Sequence, residues 1–201
     1  MVRETGDVRS RGFIFDDHRF GLTRGVFDPV RHLSGLAFAD VLADVVAECG
    51  PGARTALDLG TGCGLLAVTL ARVGLKVVAT DISEAAARCA AQNCLELDVD
   101  VRHGDMFAPV EGETFDLVVV NPPYERKDPS WLSSSALTSP DFLEKLGARV
   151  HEFAPTLVLG FPIDDASVLG ATCLDLVPWR TVATSGHDLG IFVSTTPRPQ
   201  T

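Results

Sequence analysis

The chain lacks any stretch both long and apolar enough to cross a bilayer, which excludes a membrane-spanning helix. Positive charge is scarce: 17 Lys and Arg stand against 27 Asp and Glu, a formal net charge of −10. An acidic surface repels phosphate backbones, so the balance argues against a nucleic-acid partner unless a basic patch or a basic partner subunit compensates. The five cysteines, Cys49, Cys63, Cys89, Cys94 and Cys173, are odd in number and contain no Cys-x-x-Cys pair. That excludes a disulfide framework and a zinc ligand set, so we expect a reducing compartment and no metal. Met1 to Asp7 holds no apolar core of a signal peptide, and a cytoplasmic location is expected. Tyrosine is nearly absent as well, with Tyr124 its one occurrence in 201 residues. What remains is 46% hydrophobic and 22% charged, the composition of one globular domain with a real core.

Order along the chain is alternating. Leu36, Phe38, Val41, Leu42, Val45 and Val46 recur at helical spacing and predict a helix from Leu33 to Cys49, stopped by Gly50-Pro51-Gly52. Strands are then predicted at Thr55 to Leu59, Lys76 to Thr80, Asp98 to Arg102, Phe115 to Val120 and Thr156 to Leu159. Helices intervene at Leu65 to Val73, from the Ser83 cap to Leu95, and from Ser139 to Glu152, with a short one at Asp165 to Leu174. Arg180 to Thr184 and Ile191 to Thr195 close the series. The loop Ser185 to Gly190 is too short for a crossover helix, so these two strands are antiparallel. The pattern is that of an α/β fold: a doubly wound, mostly parallel, seven-stranded sheet with an antiparallel terminal hairpin. Upstream, after a loose polar start, Phe13-Ile14-Phe15 and Gly25-Val26-Phe27 predict a small hairpin around Gly21. Residues 196–201 are expected to be disordered.

The apolar run Phe115 to Val120 ends in Asn121-Pro122-Pro123-Tyr124. This turn sits at the strand end, where open α/β sheets bind their ligands. Two prolines remove two donors and fix φ, and Pro122 holds Asn121 extended. A stiff turn presents the Asn121 amide oxygen and the Pro122 carbonyl as fixed acceptors, with the Tyr124 ring as a stacking face. Those parts suit a grip on a planar –NH2 group. A plain proline-rich turn is the competing reading. Trp131, in Asp128-Pro129-Ser130-Trp131-Leu132, is placed either as a lid over that pocket or as an ordinary packing residue.

Upstream, the first predicted strand runs into Gly60-Thr61-Gly62-Cys63-Gly64 and then a helix. Glycines let a backbone turn sharply and approach a ligand, and the helix N-terminus receives a carboxylate. The spacing is Gly-x-Gly-x-Gly, not the Gly-x-Gly-x-x-Gly of dinucleotide enzymes. Asp58, just before the loop, suits an ammonium. Asp81 ends the second strand, where a carboxylate accepts both hydroxyls of a ribose; a helix-opening Asp is the alternative. In Gly104-Asp105-Met106, Asp105 is either an acceptor for the adenine amine, with Met106 and Ile82 packing on the ring, or an exposed loop carboxylate.

Together, Leu57-Asp58-Leu59-Gly60-Thr61-Gly62, Ala79-Thr80-Asp81-Ile82-Ser83, Gly104-Asp105-Met106-Phe107 and Phe115 to Tyr124 resemble the class I S-adenosylmethionine-dependent methyltransferases. The narrower resemblance is to HemK-type glutamine and related small-domain N-methyltransferases, over roughly Gly25 to Thr195. It implies the Rossmann-like methyltransferase fold and S-adenosyl-L-methionine as cofactor, with S-adenosyl-L-homocysteine as product. Asp58, Gly60 and Gly62 would hold the methionine end, Asp81 and Ile82 the ribose and adenine, and Asp105 and Met106 the adenine edge. Asn121, Pro122 and Tyr124 would be catalytic, with Asn121 also beside the cofactor, and Pro123, Tyr124 and Trp131 would bind substrate. Gly25-Val26-Phe27-Asp28-Pro29 resembles the segment that closes over the cofactor, which makes 1–50 an N-terminal extension closing the site and 51–195 the methyltransferase domain. The chain departs from the family pattern at His32-Leu33, at Phe153-Ala154-Pro155-Thr156 and through Glu125 to Leu137. The implied acceptor is an amide or aromatic amine on a small metabolite or on a peptide or protein glutamine. A nucleobase amine is an alternative, as is a non-catalytic cofactor-binding subunit that serves a partner.

Overall fold

Strands β4 (Thr55–Leu59), β5 (Lys76–Asp81), β7 (Leu117–Val120) and β8 (Thr156–Pro162) are buried almost throughout, as unbroken apolar runs require of strands covered on both faces. The structure is a computed structural model; it describes residues 2–5, 11–31, 33–49, 51–122, 139–164, 166, 169, 174–184 and 188–195. With β6 (Val99–His103), β9 (Val177–Val182) and β10 (Leu189–Thr195), these strands form one seven-stranded sheet in the order β6-β5-β4-β7-β8-β10-β9. β6 through β8 pair in parallel, whereas β10 is antiparallel to both β8 and β9. The terminal antiparallel hairpin is therefore present, with the last strand inserted between its predecessor and the parallel half.

The two faces carry separate cores, and the alternation along each strand assigns residues to one or the other. Ala56, Val77, Ala79, Leu117, Val119 and Val158 join the core built with helices α1 (Ser34–Cys49), α2 (Leu65–Arg72) and α3 (Glu84–Asn93). Leu57, Leu59, Val78, Val118, Val120, Leu157 and Leu159 face helix α4 (Ser139–Phe153), where the Phe107 and Phe153 rings stack at 4.3 Å. Just before β7, Asp116 accepts the backbone N–H of Arg54 and Thr55 at 2.8 and 3.0 Å, fixing where the neighbouring β4 begins.

The N-terminal hairpin differs from the expectation. Strands β1 (Arg3–Thr5), β2 (Arg11–Phe15) and β3 (His18–Leu22) form a three-stranded antiparallel sheet, so the polar start contributes a strand. The turn falls at Asp16-Asp17, whose φ values of 46° and 58° suit the tight hairpin turn that Asp tolerates, and not at Gly21. Gly21 lies inside β3 opposite Gly12. Phe13 and Phe20, fully buried and stacked at 4.7 Å, insert into the same core as α1 and α2. Trp179 on edge strand β9 is half-buried and packs against this core, with its indole N–H donating to Glu48 at 2.9 Å. The expected helix at Asp165 to Leu174 lies largely outside the described residues, as do Cys173, His187 and residues 196–201. Among the described residues no helix is long and apolar enough to cross a membrane.

Candidate active site

Strand register brings the singled-out residues to one edge. Leu59 pairs with Thr80 on one side and Val120 on the other, and Asp81 pairs with His103. One residue further along stand Gly60, Asp81, Asn121 and His103, abreast at the carboxyl ends of β4, β5, β7 and β6, with Gly104 just beyond. This is the position where a parallel sheet whose connections run to both sides opens a crevice.

The glycine loop is locked before any ligand arrives. The Thr80 carbonyl accepts the N–H of both Gly60 and Thr61 at 2.9 Å. Gly62 donates its N–H to Asp81 Oδ2 at 2.9 Å, while Ser83 N–H reaches Asp81 Oδ1 at 2.8 Å. Gly60 and Gly62 have φ of 80° and 60°, and a Cβ at either would meet nothing within 4 Å, so their backbone faces open space. Gly64 differs: at φ 86°, a Cβ there would stand 3.1 Å from the Ala90 backbone and 3.3 Å from Cys94 Sγ. The third glycine therefore lets α2 start in contact with α3, while the first two leave room for a ligand.

Asp58 is sealed beneath this loop at 1% exposure. Thr61 Oγ1 donates to its Oδ2 at 2.6 Å, whereas its buried Oδ1 makes no hydrogen bond of good geometry among the described residues. Burial drives its pKa up to about 7 against the opposing pull of the Thr61 hydroxyl and, more weakly, the nearby Ala67 backbone N–H, and the nearby Asp81 adds to the rise. Asp81 is also raised, by burial first, with the Ser83 and Gly62 N–H groups and His103 working the other way. Cys94 is pushed up to about 12 and Cys63 higher still, both chiefly by burial, so these thiols are packed and not nucleophilic.

Ile82 is half-buried, and its carbonyl accepts from His103 Nε2 at 3.1 Å. Asp105 is exposed and Met106 half-buried, with Met106 at a left-handed φ of 48° that is uncommon outside glycine. Phe27 and Pro29 approach Gly35 on α1 and Leu65, the first residue of α2, within 3.7 Å of a common point. Asp28 secures that segment through the Val30 N–H at 3.0 Å and an ion pair to Arg11 at 3.0 Å.

Across the crevice, Asn121 is half-buried and its buried Oδ1 has no hydrogen-bond partner among the described residues; Pro122 is buried. Pro123, Tyr124 and Trp131 lie outside the described residues. Gly160 on β8 is a neighbour that sequence reading missed. A Cβ there would meet Phe38 Cδ1 at 2.7 Å and Asn121 Oδ1 at 3.4 Å, so ring and carboxamide rest against the same bare stretch of backbone. A glycine interrupting the apolar run Leu157 to Phe161 is the signal that marks such an approach. Asn93, also missed, is buried and donates to the Cys63 carbonyl within the glycine loop at 2.8 Å. Among the described residues no three His, Cys, Asp or Glu side chains converge as metal ligands.

A family model described as Methyltransferase small domain matches residues 38–139, half of the chain. A release factor glutamine methyltransferase of Bacteroides thetaiotaomicron is 35% identical over 130 residues, covering 62% of this chain and 42% of the relative. A 4-amino-L-phenylalanine/4-methylamino-L-phenylalanine methyltransferase of Streptomyces pristinaespiralis is 37% identical over 131 residues, covering 62% and 44%. The chain thus spans less than half the length of either relative. Among solved structures, a 16S rRNA N2 G1207 methyltransferase of T. thermophilus in complex with AdoMet and guanosine superposes with a TM-score of 0.62 at 18% identity. That superposition covers 98% of this chain and 51% of the other, a likeness of fold.

Proposed function

The chain belongs to the methyltransferase small domain family, and from that membership we propose that it is an S-adenosylmethionine-dependent N-methyltransferase acting on a planar primary amide or aromatic amine. The acceptor nitrogen belongs to a peptide or protein glutamine or to a small arylamine, the two acceptor classes named in its relatives. The observation that carries this reading is the register of β4, β5 and β7. It sets an open glycine backbone beside an asparagine whose buried Oδ1 has no hydrogen-bond partner among the described residues. A buried acceptor left unpaired costs stability and calls for a donor from outside the fold.

The residues present fit the cofactor. The open faces of Gly60 and Gly62 admit its methionine end, and Asp81 retains lone pairs for the ribose hydroxyls after accepting two backbone N–H groups. Asp58, sealed under the loop, acts on the ammonium as a buried charge and not as a direct ligand. Ile82, Asp105 and Met106 flank the adenine, and Phe27 in the 1–50 extension closes the cofactor side. The bound cofactor supplies an electrophilic methyl group on a sulfonium.

Amide and aryl nitrogens are weak nucleophiles because their lone pair is delocalised. Asn121 Oδ1 and the Pro122 carbonyl accept the two N–H bonds, which favours a pyramidal nitrogen with its lone pair turned toward the methyl. Pro123, Tyr124 and Trp131 bind the acceptor group. No strong base would be required, since an N–H of the methylated nitrogen would be acidic enough to lose its proton to water, with S-adenosylhomocysteine as the leaving group. Positioning supplies most of the rate.

A thermal-shift panel of S-adenosylmethionine, S-adenosylhomocysteine and NAD tests the cofactor: the first two raise Tm and NAD does not. Stabilisation by NAD alone would refute the reading. Mass spectrometry after incubation with S-adenosylmethionine and glutamine peptides or para-amino aryl amino acids then identifies which acceptor gains a methyl group.

A further inference from the structure

The last residue of α3, Asn93, is 8% exposed and joins three elements. Its Nδ2 donates to the Cys63 carbonyl in the glycine loop at 2.8 Å and to the Gly21 carbonyl at 3.0 Å. Its Oδ1 accepts the Gly21 N–H at 2.8 Å, and its backbone carbonyl accepts from His18 Nε2 at 2.8 Å. Strand β3 is the edge of the N-terminal sheet, so among the described residues its outward N–H and C=O groups have no strand to pair with. One carboxamide takes both of them at Gly21, standing in for a neighbouring strand.

The same carboxamide restrains the loop at the residue between Gly62, held by Asp81, and Gly64, wedged against Ala90. Whatever shifts the Cys63 carbonyl must therefore strain the hairpin, and whatever undocks the hairpin releases the loop. We propose that Asn93 is a positioning residue that couples docking of the N-terminal hairpin to the cofactor-ready shape of the glycine loop. The proposal rests on the reading of that loop as the cofactor site. Binding at the loop then orders the hairpin, and the hairpin in turn sets the affinity, by reciprocal linkage.

The test uses S-adenosylhomocysteine as probe. In the unaltered protein, saturating S-adenosylhomocysteine is expected to slow amide exchange across residues 11–22, a measurement that needs no variant. Asn93→Asp keeps the shape and the acceptor for Gly21 N–H but turns both donated bonds into oxygen–oxygen repulsions. By calorimetry it should bind S-adenosylhomocysteine at least about tenfold more weakly, and the ligand should no longer protect the hairpin. Arg72→Ala removes an ion pair to Asp16 at the hairpin turn, 3.3 Å, without touching the loop; it should bind within about twofold of the parent. Parent-like affinity in Asn93→Asp, or hairpin exchange in the parent indifferent to the ligand, overturns the coupling while leaving the cofactor reading intact. A parent protein that does not bind S-adenosylhomocysteine overturns both.

Discussion

On the β5–β4 side of the crevice, polar groups are tied to backbone: Asp81 to Gly62 and Ser83, the Thr80 carbonyl to Gly60 and Thr61, Asn93 to Cys63. On the β7–β8 side, Asn121 Oδ1 has no hydrogen-bond partner among the described residues and rests with Phe38 against Gly160. The difference follows from the two tasks proposed for these sides. A loop that presents its backbone gains from being held beforehand, since less order is then lost on binding. A side chain that must accept hydrogen bonds from a substrate has to keep its oxygen free, so only shape can hold it. Asp58 crosses the division, lying on the hydrogen-bonded side with one oxygen unpaired among the described residues.

Asp58 should show the largest effect. Its folded pKa of about 7 lies above the ordinary 3.8, so its contribution to stability is full below about pH 4 and is lost as pH rises through 7. The loss is on the order of 4 kcal/mol. Urea unfolding of the parent and of Asp58→Asn across this range should show that slope in the parent and its removal in the variant. Equal slopes would put Asp58 back among the satisfied groups.

Next comes Asn121→Ala, expected to lower methyl transfer by at least about a hundredfold while S-adenosylhomocysteine affinity stays within about twofold. Initial rates and calorimetry read the two quantities separately, and parallel losses would erase the distinction between the sides. Third is a pair of glycine substitutions, each costing about 2 kcal/mol by denaturant unfolding, one through left-handed strain and the other through overpacking. Gly64→Ala should weaken cofactor binding, since it pushes α2 off Ala90 and Cys94. Gly160→Ala should spare it and slow turnover, since it pushes Phe38 and Asn121. The smallest effect is expected at Ser83→Ala, about 0.5 kcal/mol in a thermal melt, because the cap bond to Ala86 N–H is long at 3.4 Å.

The parallel strands were legible because each is an apolar run too short for a helix and buried on both faces, which leaves few other solutions. The glycine loop was legible because positive φ is open to few residues but glycine, and such positions announce themselves in the chain. The hairpin turn was misplaced: Asp16-Asp17 carries a weaker local signal than Gly21, and that glycine serves a contact with a residue 72 positions away. Asn93 and the pairing of Gly160 with Phe38 gave still less sign of themselves, because a buried amide and an intrastrand glycine have no periodicity of their own.

Local sequence by itself determined the strands, their parallel run with an antiparallel close, and the residue types at their ends, since hydrophobic period and backbone freedom are short-range properties. Tertiary structure alone decided which of those ends stand abreast, which oxygens remain unpaired, and how the N-terminal hairpin reaches the loop. Register and hydrogen-bond satisfaction are set between segments far apart in the chain, where no local pattern records the partner.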